Sequence, residues 1–496
     1  MEKTDKKIIK NMTEGNVPKL MLTFAMPLFL SSMLQAVYNM VDMVVIGNFV
    51  GSQGLSAAAV GGDMMNFLTF VGIGFANAGQ VIISQYLGAG MKEKVSRLIG
   101  TLCTFLLSCG LCIGCVCWLL REHILRWLNT PEEAFAYTLT YVSVCIFGLV
   151  FIYGYNMASA VLRGLGDSRH PFLFILSSAL VNLILDCVFV IGFQWEVFGA
   201  ALATVISQFI SFAMSFWFLY KKKGELGFEV SRVNFLIDRE IFKQLIRLGV
   251  PMAIQTGAIQ FSKIFINSWI NTYGVIVSAV TGIGNKFGII SNLLGNSMNT
   301  ASSTMIGQNI GAEKYGRVPG ILKTAFIVNL SIAFLMSAAF ICIPNQVFGL
   351  FTSEEAVLAV AMEYIPVAVI NAVASGLRSP MNGLINGSGN SRLNLAVALL
   401  DGIIVRIGLS FILGIGAGMG YRGYWYGTVT ASFVPFMIGS VYYLSGKWKT
   451  RRYIIQKEEK RNMAGEGAKS GCYFRERSSK YWINILVARE GRGLAE

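Results

Sequence analysis

The sequence is poor in charged side chains, and several long stretches contain none. Of 496 residues only 14% are charged and 54% are hydrophobic, whereas a soluble domain carries about 25% charged residues. A helix crosses the bilayer core with about 20 residues, and five charge-free stretches are at least that long. This composition excludes an ordinary soluble fold. The five stretches are residues 98–120, 134–162, 198–220, 324–353 and 423–446.

The sequence also lacks the alternating pattern of apolar and polar residues that β-strands show. Only helices and closed barrels satisfy their backbone hydrogen bonds inside a membrane, so we predict an all-α polytopic membrane protein with twelve transmembrane helices. The predicted spans are 18–47, 55–87, 96–120, 132–162, 171–191, 198–220, 240–270, 276–308, 318–344, 355–386, 393–414 and 423–444.

Signatures of enzymes and cofactor sites are missing as well. The chain has two histidines, no phosphate-binding G-x-x-x-x-G-K-[ST] loop and no metal-ligand spacing. Five of its nine cysteines fall in residues 98–120 without a histidine or acidic residue beside them, which is typical of small packing residues. We therefore expect no enzyme activity, no cofactor and no metal site other than a possible sodium ion.

Basic residues account for the formal charge of +14, and their distribution indicates a membrane rather than nucleic acid. They crowd one set of connections between spans, and the alternate set holds only Arg121, Arg126 and Arg422. By the positive-inside rule the crowded set and both termini are cytoplasmic, so we expect a multi-pass protein of the cell membrane. The predicted segments are a cytoplasmic N-terminus (1–17), an N-lobe (18–220), a cytoplasmic linker (221–239), a C-lobe (240–444) and a disordered basic cytoplasmic tail (445–496).

The two halves repeat each other at an offset of 222 to 224 residues. Pro27 matches Pro251, and Gln85 matches Gln308, within a longer series of matched positions. Because each half has an even number of spans, both halves enter the membrane from the same side. The sequence therefore predicts two parallel six-helix repeats, an N-lobe and a C-lobe, around a central cavity.

A pair of carboxylates in the first half is the leading candidate for a functional site, since ionisable residues inside spans are costly. Asp42, Asp186 and Thr204 each lie roughly 7–9 Å inside the same membrane edge at about 1.5 Å per residue. Asn182 shares a helix face with Asp186. Two adjacent carboxylates in a low dielectric are unfavourable when both are charged, so the pair suits a proton or a hard cation such as sodium. The face of the first span that carries Asp42 also presents Ser31, Gln35 and Tyr38.

The remaining intramembrane charges and the matched prolines carry weaker signals. Each charge is open to two interpretations, structural pairing or contact with a substrate in the cavity. Pro27 can bend the first span, which either couples Asp42 to a change of shape or is a static kink. The charges in question are Asp63, Lys263, Lys286, Glu363, Arg378, Asp401 and Arg406.

Several motifs together resemble those of the multidrug and toxic compound extrusion (MATE) transporters over about residues 12–446. The motifs are residues 35–47 (QAVYNMVDMVVIG), 79–90 (GQVIISQYLGAG), 163–168 (RGLGDS) and its echo 386–391 (NGSGNS). An Asp in the first span with Asn and Asp in the fifth is similar to the DinF-like branch. The resemblance implies a cation or proton site at Asp42, Asn182, Asp186 and Thr204, near Tyr38 and Asn156, and a bend at Pro27.

The function that the resemblance implies is antiport. Members of the family exchange drugs, often amphipathic organic cations, for H⁺ or Na⁺, so we expect a multidrug efflux antiporter that works by alternating access. The expected partners are small organic substrates and the lipid bilayer, with no nucleic acid, and the chain is expected to be a monomer. The alternatives are a lipid-linked precursor flippase, which would need a basic cavity, and a receptor without transport.

Overall fold

A computed structural model describes residues 9–128, 130–226, 235–352 and 354–449. The predicted N-terminus, linker and tail each extend into residues outside these ranges. Within them the chain forms twelve long helices and no β-strand. The helices are α1 (Val17–Phe49), α2 (Ser52–Gly88), α3 (Lys92–Trp127), α4 (Glu132–Gly164), α5 (Arg169–Gly192), α6 (Glu196–Lys221), α7 (Arg239–Asn271), α8 (Val275–Gly311), α9 (Tyr315–Cys342), α10 (Glu355–Gly387), α11 (Ser391–Gly416) and α12 (Tyr421–Leu444).

Most of these helices can span a membrane by length and composition alone. Ten of the twelve are apolar enough over 18 residues, and the other two, α7 and α8, are as long but more polar. A 33-residue helix is about 50 Å long, which exceeds the hydrocarbon core. The twelve-helix, two-lobe fold class predicted from the sequence is confirmed.

Corresponding helices of the two halves begin in the same way. Asn16 caps α1 by accepting a hydrogen bond from the backbone of Lys19, and Asp238 caps α7 by accepting from two backbone N–H groups. Gly51 and Gly274 precede α2 and α8 with φ angles of +87° and +104°, a region that glycine enters without a steric penalty. The repeat therefore extends to the local chemistry that starts each helix.

Both ends of the described chain reach one side of the helix bundle, which we call the terminal face. Met12 and Trp448 lie in the same buried cluster with Met305 and Ile310 of α8, and each of the two is 1% exposed. Side chains from the first half of α1, including Phe24, fill the same cluster. The N-terminal half of α1 is therefore packed on the C-lobe.

Helix α7 makes the reciprocal contact with the N-lobe. Gly249 lies against the ring of Phe75, and Gly74 lies against the backbone of Ala253. The hydroxyl of Tyr86 donates a 2.9 Å hydrogen bond to Gln244. The first helix of each half thus begins against the opposite lobe, and the two lobes are joined next to the terminal face.

The lobes touch most closely where α2 and α8 end. A Cβ on Gly88 would lie 2.1 Å from the carbonyl oxygen of Gln308, and one on Gly311 would lie 2.2 Å from that of Gln85. Only glycine allows the two backbones to approach this closely.

Two glutamines complete this closure of the terminal face. Gln85 donates a 2.7 Å hydrogen bond to the carbonyl of Gly387, and Gln308 donates a 3.3 Å hydrogen bond to that of Gly164. Both donors and both acceptors are related by 223 residues, so the closure follows the symmetry of the repeat.

Candidate functional site

Asp42 of α1 and Asp186 of α5 meet in the N-lobe. Their carboxyl groups lie within hydrogen-bonding reach of each other, and Asp186 is 1% exposed. Both oxygens of Asp186 and Oδ1 of Asp42 are buried, and no donor from the described residues reaches them. A hydrogen bond between two carboxyls needs a proton on one of them, so the pair is suited to hold a proton or another cation.

Helix α5 changes its hydrogen-bonding pattern at this point. Its α-helical part ends at Asp186, and a π-helical segment, Cys187–Gly192, follows directly. Such segments are frequent at functional sites because they re-aim side chains. Asn182 lies one turn before Asp186, is 2% exposed, and its Nδ2 has no hydrogen-bond acceptor among the described residues. Local structure thus leaves polar atoms of two neighbouring turns available to a ligand.

Two residues that the sequence analysis missed complete the surroundings of the pair. Tyr141 and Cys145, both on α4 and one turn apart, are buried and close enough to Asp42 to interact with its charge. Tyr38, one turn before Asp42, interacts with both carboxyls. The available signal was their spacing of four residues, which places both side chains on one face of α4. This signal is weak because uncharged side chains are common in transmembrane helices.

Three other residues of the implied site, Thr204, Gln35 and Asn156, lie on α6, α1 and α4. Thr204 is half-buried on α6, its carbonyl accepts a hydrogen bond from Ser207, and its hydroxyl makes no hydrogen bond with either carboxyl in the described part of the chain. Gln35 and Asn156 line a separate cavity of about 150 Å³. The structure therefore brings Asp42, Asp186 and Tyr38 together, whereas Gln35 and Asn156 line the separate cavity.

This N-lobe cavity lies at the boundary between the lobes. Its N-lobe wall includes Ser31 of α1 and Arg163 of α4, and its C-lobe wall comes from Asn296, Ser297 and Thr300 of α8. Pro27 lies one turn before Ser31, whose hydroxyl donates a 2.8 Å hydrogen bond to the Pro27 carbonyl. Proline has no N–H to donate to the carbonyl one turn earlier, that of Thr23, yet α1 continues as a single helix from Val17 to Phe49.

The remaining intramembrane charges fall into three groups. Asp401 and Arg406 form a 2.5 Å ion pair with side chains 0% and 1% exposed, and Glu363 is bound by Arg422 and Tyr421. These three predicted residues therefore make structural pairs. Asp63 and Lys286 are exposed and line neither of the cavities described here, whereas Lys263 and Arg378 line a second cavity.

A metal centre built from several side chains is not visible in the described residues, where no group of three His, Cys, Asp or Glu side chains converges. The oxygens of Asp42 and Asp186 are of the type that sodium prefers. Together with the amide of Asn182, they are the residues that could hold such an ion.

Comparison with known proteins supports a single family. The family model described as MatE matches residues 27–188 and 251–412, one match in each half. The chain is 28% identical to "Probable multidrug resistance protein YpnP" of Bacillus subtilis (strain 168), over 90% of this chain and 99% of that protein. It is 25% identical to "Multidrug export protein MepA" of Staphylococcus aureus (strain NCTC 8325 / PS 47), over 78% and 85%.

A solved structure has the same fold. It is described as the outward-facing conformation of a multidrug resistance MATE family transporter of the MOP superfamily. The TM-score is 0.82 at 20% identity, and the match covers 91% of this chain and all of the other.

Proposed function

Because this chain belongs to the MatE family, and is thus a membrane transporter rather than an enzyme, we propose that it exports amphipathic organic cations from the cell in exchange for H⁺ or Na⁺. The family predicted from the sequence is confirmed, and the DinF-like branch stays a prediction. The flippase alternative gains no support from the relatives, whose names refer to multidrug resistance and export.

The observation that carries the coupling proposal is the contact between Asp42 and Asp186. A structural carboxylate in this protein is neutralised by a partner, as Asp401 is by Arg406. The N-lobe pair has no cation beside it in the described residues, and three of its buried oxygens lack a donor. Such a site is stable only when a proton or cation occupies it, so occupancy and conformation are linked.

The direct contact favours a proton over sodium as the coupling ion. Two carboxyls that share a proton need no further ligands, whereas sodium needs several more oxygens around it. The direction of export follows from the predicted orientation, in which the terminal face is cytoplasmic and the cation enters from the other side. Each charge that moves inward across 100 mV supplies about 2.3 kcal/mol.

The proposal is tested by efflux of ethidium from a host that lacks its own pumps. We expect Asp42→Asn and Asp186→Asn each to reduce efflux to the level of cells without the protein, because an amide cannot exchange a proton at neutral pH. Glu122→Gln, which removes an exposed carboxylate at the end of α3, is the matched control and should retain wild-type efflux. Wild-type efflux in both Asp variants, at equal protein levels, would refute the site.

The coupling ion is identified in membrane vesicles with proton and sodium gradients imposed separately. Ethidium transport should follow the proton gradient and persist without sodium. Transport driven by sodium alone would assign the site to Na⁺, and transport that needs neither gradient would overturn antiport.

A further inference from the structure

The largest cavity described here lies in the C-lobe, and its charged side chains are all basic. It measures about 330 Å³ and is lined by residues of α7, α8 and α10, with Phe70 of α2 at its edge. Lys263 and Arg378 are among the lining residues, and no Asp or Glu is. Both side chains are half-buried, so each is accessible from the cavity.

These two cations are not explained by pairing within the protein. In the part of the chain that the structure describes, Lys263 has no hydrogen bond or ion pair, and Arg378 donates one 2.8 Å hydrogen bond to the neutral amide of Asn292. Asp401 is the acidic group that interacts electrostatically with both of them. It is already held at 2.5 Å by Arg406, so these four residues together carry two uncompensated positive charges.

The rest of the lining supplies hydrogen-bonding groups rather than a hydrophobic surface. Amides come from all three helices, and hydroxyls from α7 and α10. Lysine and arginine offer several donors and no acceptor, and carboxylate or phosphate oxygens are the acceptors that match them. The amides that line the cavity are Gln255, Gln260, Asn292, Asn296, Asn299 and Asn382.

The cavity adjoins the one in the N-lobe. Asn296 lines both of them, so a molecule at the boundary can contact the two lobes at once. The two lobes differ in charge, since the N-lobe carries the Asp42–Asp186 pair and the C-lobe carries Lys263 and Arg378. A purely cationic compound would be repelled from the C-lobe side by these two residues.

We propose that the C-lobe cavity is a binding site for an anionic group, a carboxylate or phosphate, of an organic molecule. Lys263 and Arg378 bind the charge and the surrounding amides orient it. The protein thereby takes anionic or zwitterionic compounds in addition to cations. This binding needs no ion gradient, so it can be tested separately from antiport.

The test compares two dyes with the same three-ring xanthene skeleton, anionic fluorescein and cationic rhodamine 6G. Each is titrated with the full-length protein in phosphatidylcholine nanodiscs, with empty discs as blank, and binding is read by fluorescence polarisation. We expect Lys263→Gln and Arg378→Gln each to weaken fluorescein binding about tenfold, as loss of one charged hydrogen bond does. Binding of rhodamine 6G should be unchanged or tighter.

Two further sets of variants separate charge from folding. Lys263→Arg and Arg378→Lys keep the charge and should retain fluorescein binding. Lys323→Gln removes an exposed cation of α9 outside both cavities and should match the wild type. Equal fluorescein affinity in all variants would overturn the proposal, as would a parallel loss of affinity for both dyes.

Competition identifies the source of the anionic group. Fluorescein binding is measured in discs of phosphatidylcholine alone and in discs in which phosphatidylglycerol replaces part of it. Displacement of fluorescein by inorganic phosphate or benzoate in both disc types assigns the site to a water-soluble anion. Displacement by phosphatidylglycerol alone assigns it to a lipid headgroup. If none of these anions displaces fluorescein, the cavity is not an anion site.

Discussion

At the scale of single residues, the sequence shows which side chains inside the transmembrane helices are charged. It does not show which of these side chains contact each other. Asp42 and Asp186 stand out because carboxylates inside transmembrane helices are rare, and the structure places them in contact. Asp401 and Arg406 give a weaker signal, since they are five residues apart, a spacing that an α-helix does not bring onto one face. The π-helical turn Leu400–Ile404 changes the angle between the two side chains, so that Arg406 reaches Asp401.

The uncharged neighbours of the carboxyl pair could not be identified from the sequence either. Tyr141 and Cys145 are adjacent to Asp42, but nothing in their residue types distinguishes them from other buried residues of α4. In the sequence, Lys263 and Arg378 do not differ from the other intramembrane charges of the C-lobe, because the sequence does not reveal which cations lack an anion. Their difference from Arg406 appears only after the helices are packed.

The buried pair Asp401–Arg406 yields a prediction about stability. Asp401→Asn leaves Arg406 buried without its counter-charge, so we expect a loss of about 3–5 kcal/mol. The double variant Asp401→Leu/Arg406→Met removes both charges and should be clearly more stable than the single variant. Thermal unfolding of the purified protein in detergent measures both. A single variant as stable as the double one would show that the pair is not electrostatically important.

At the scale of helices, most boundaries are predictable within a few residues because the chemistry that starts a helix is local, whereas α3 runs to Trp127, seven residues beyond its predicted end. Asn16 and Asp238 cap helices through their own side chains, and Gly51 and Gly274 supply positive φ angles. The π-helical segments of α5 and α11 were not predictable, since they depend on packing rather than on residue type. One of them begins immediately after Asp186, so the geometry of the candidate site rests on a feature that periodicity does not encode.

The close approach of α2 and α8 yields a prediction about conformation. Gly311→Ala places a methyl group where only 2.2 Å separates it from the carbonyl oxygen of Gln85, so closure at the terminal face should weaken by about 1–3 kcal/mol. Hydrogen–deuterium exchange in residues 80–88 and 300–311 should rise, and ethidium efflux should fall.

A glycine in open surroundings provides the control for this experiment. Gly320 lies in α9, and a Cβ there has no neighbour within 4 Å. Gly320→Ala should leave exchange and efflux unchanged and slightly stabilise the helix. Equal behaviour of the two alanine variants would mean that the lobes are not held together at Gly311.

At the scale of the whole molecule, the repeat predicts the architecture, and the departures from the repeat indicate function. Gln85 and Gln308 are equivalent and close the terminal face symmetrically. Asp42 and Asp186 have no acidic counterparts at the same offset, and Lys263 and Arg378 match Met40 and Tyr155 in the N-lobe. The closure is thus symmetric, whereas the charged side chains of the two lobes differ, and the two proposed binding sites lie at these differences.

Gln85 and Gln308 allow the closure of the terminal face to be tested. Gln85→Ala removes one hydrogen bond between the lobes. Gln308→Ala removes one between the lobes and also one to the N-terminal segment, because Oε1 of Gln308 accepts from the backbone N–H of Met12 at 2.9 Å. At about 1 kcal/mol for each bond, Gln308→Ala should open the terminal face more than Gln85→Ala does, and the double variant should open it most. Hydrogen–deuterium exchange of residues 80–88 and 300–311 reports the opening, with exposed Gln346→Ala as control. If the single variants are equal, the N-terminal segment around Met12 does not take part in closure, and the two lobes alone form the gate.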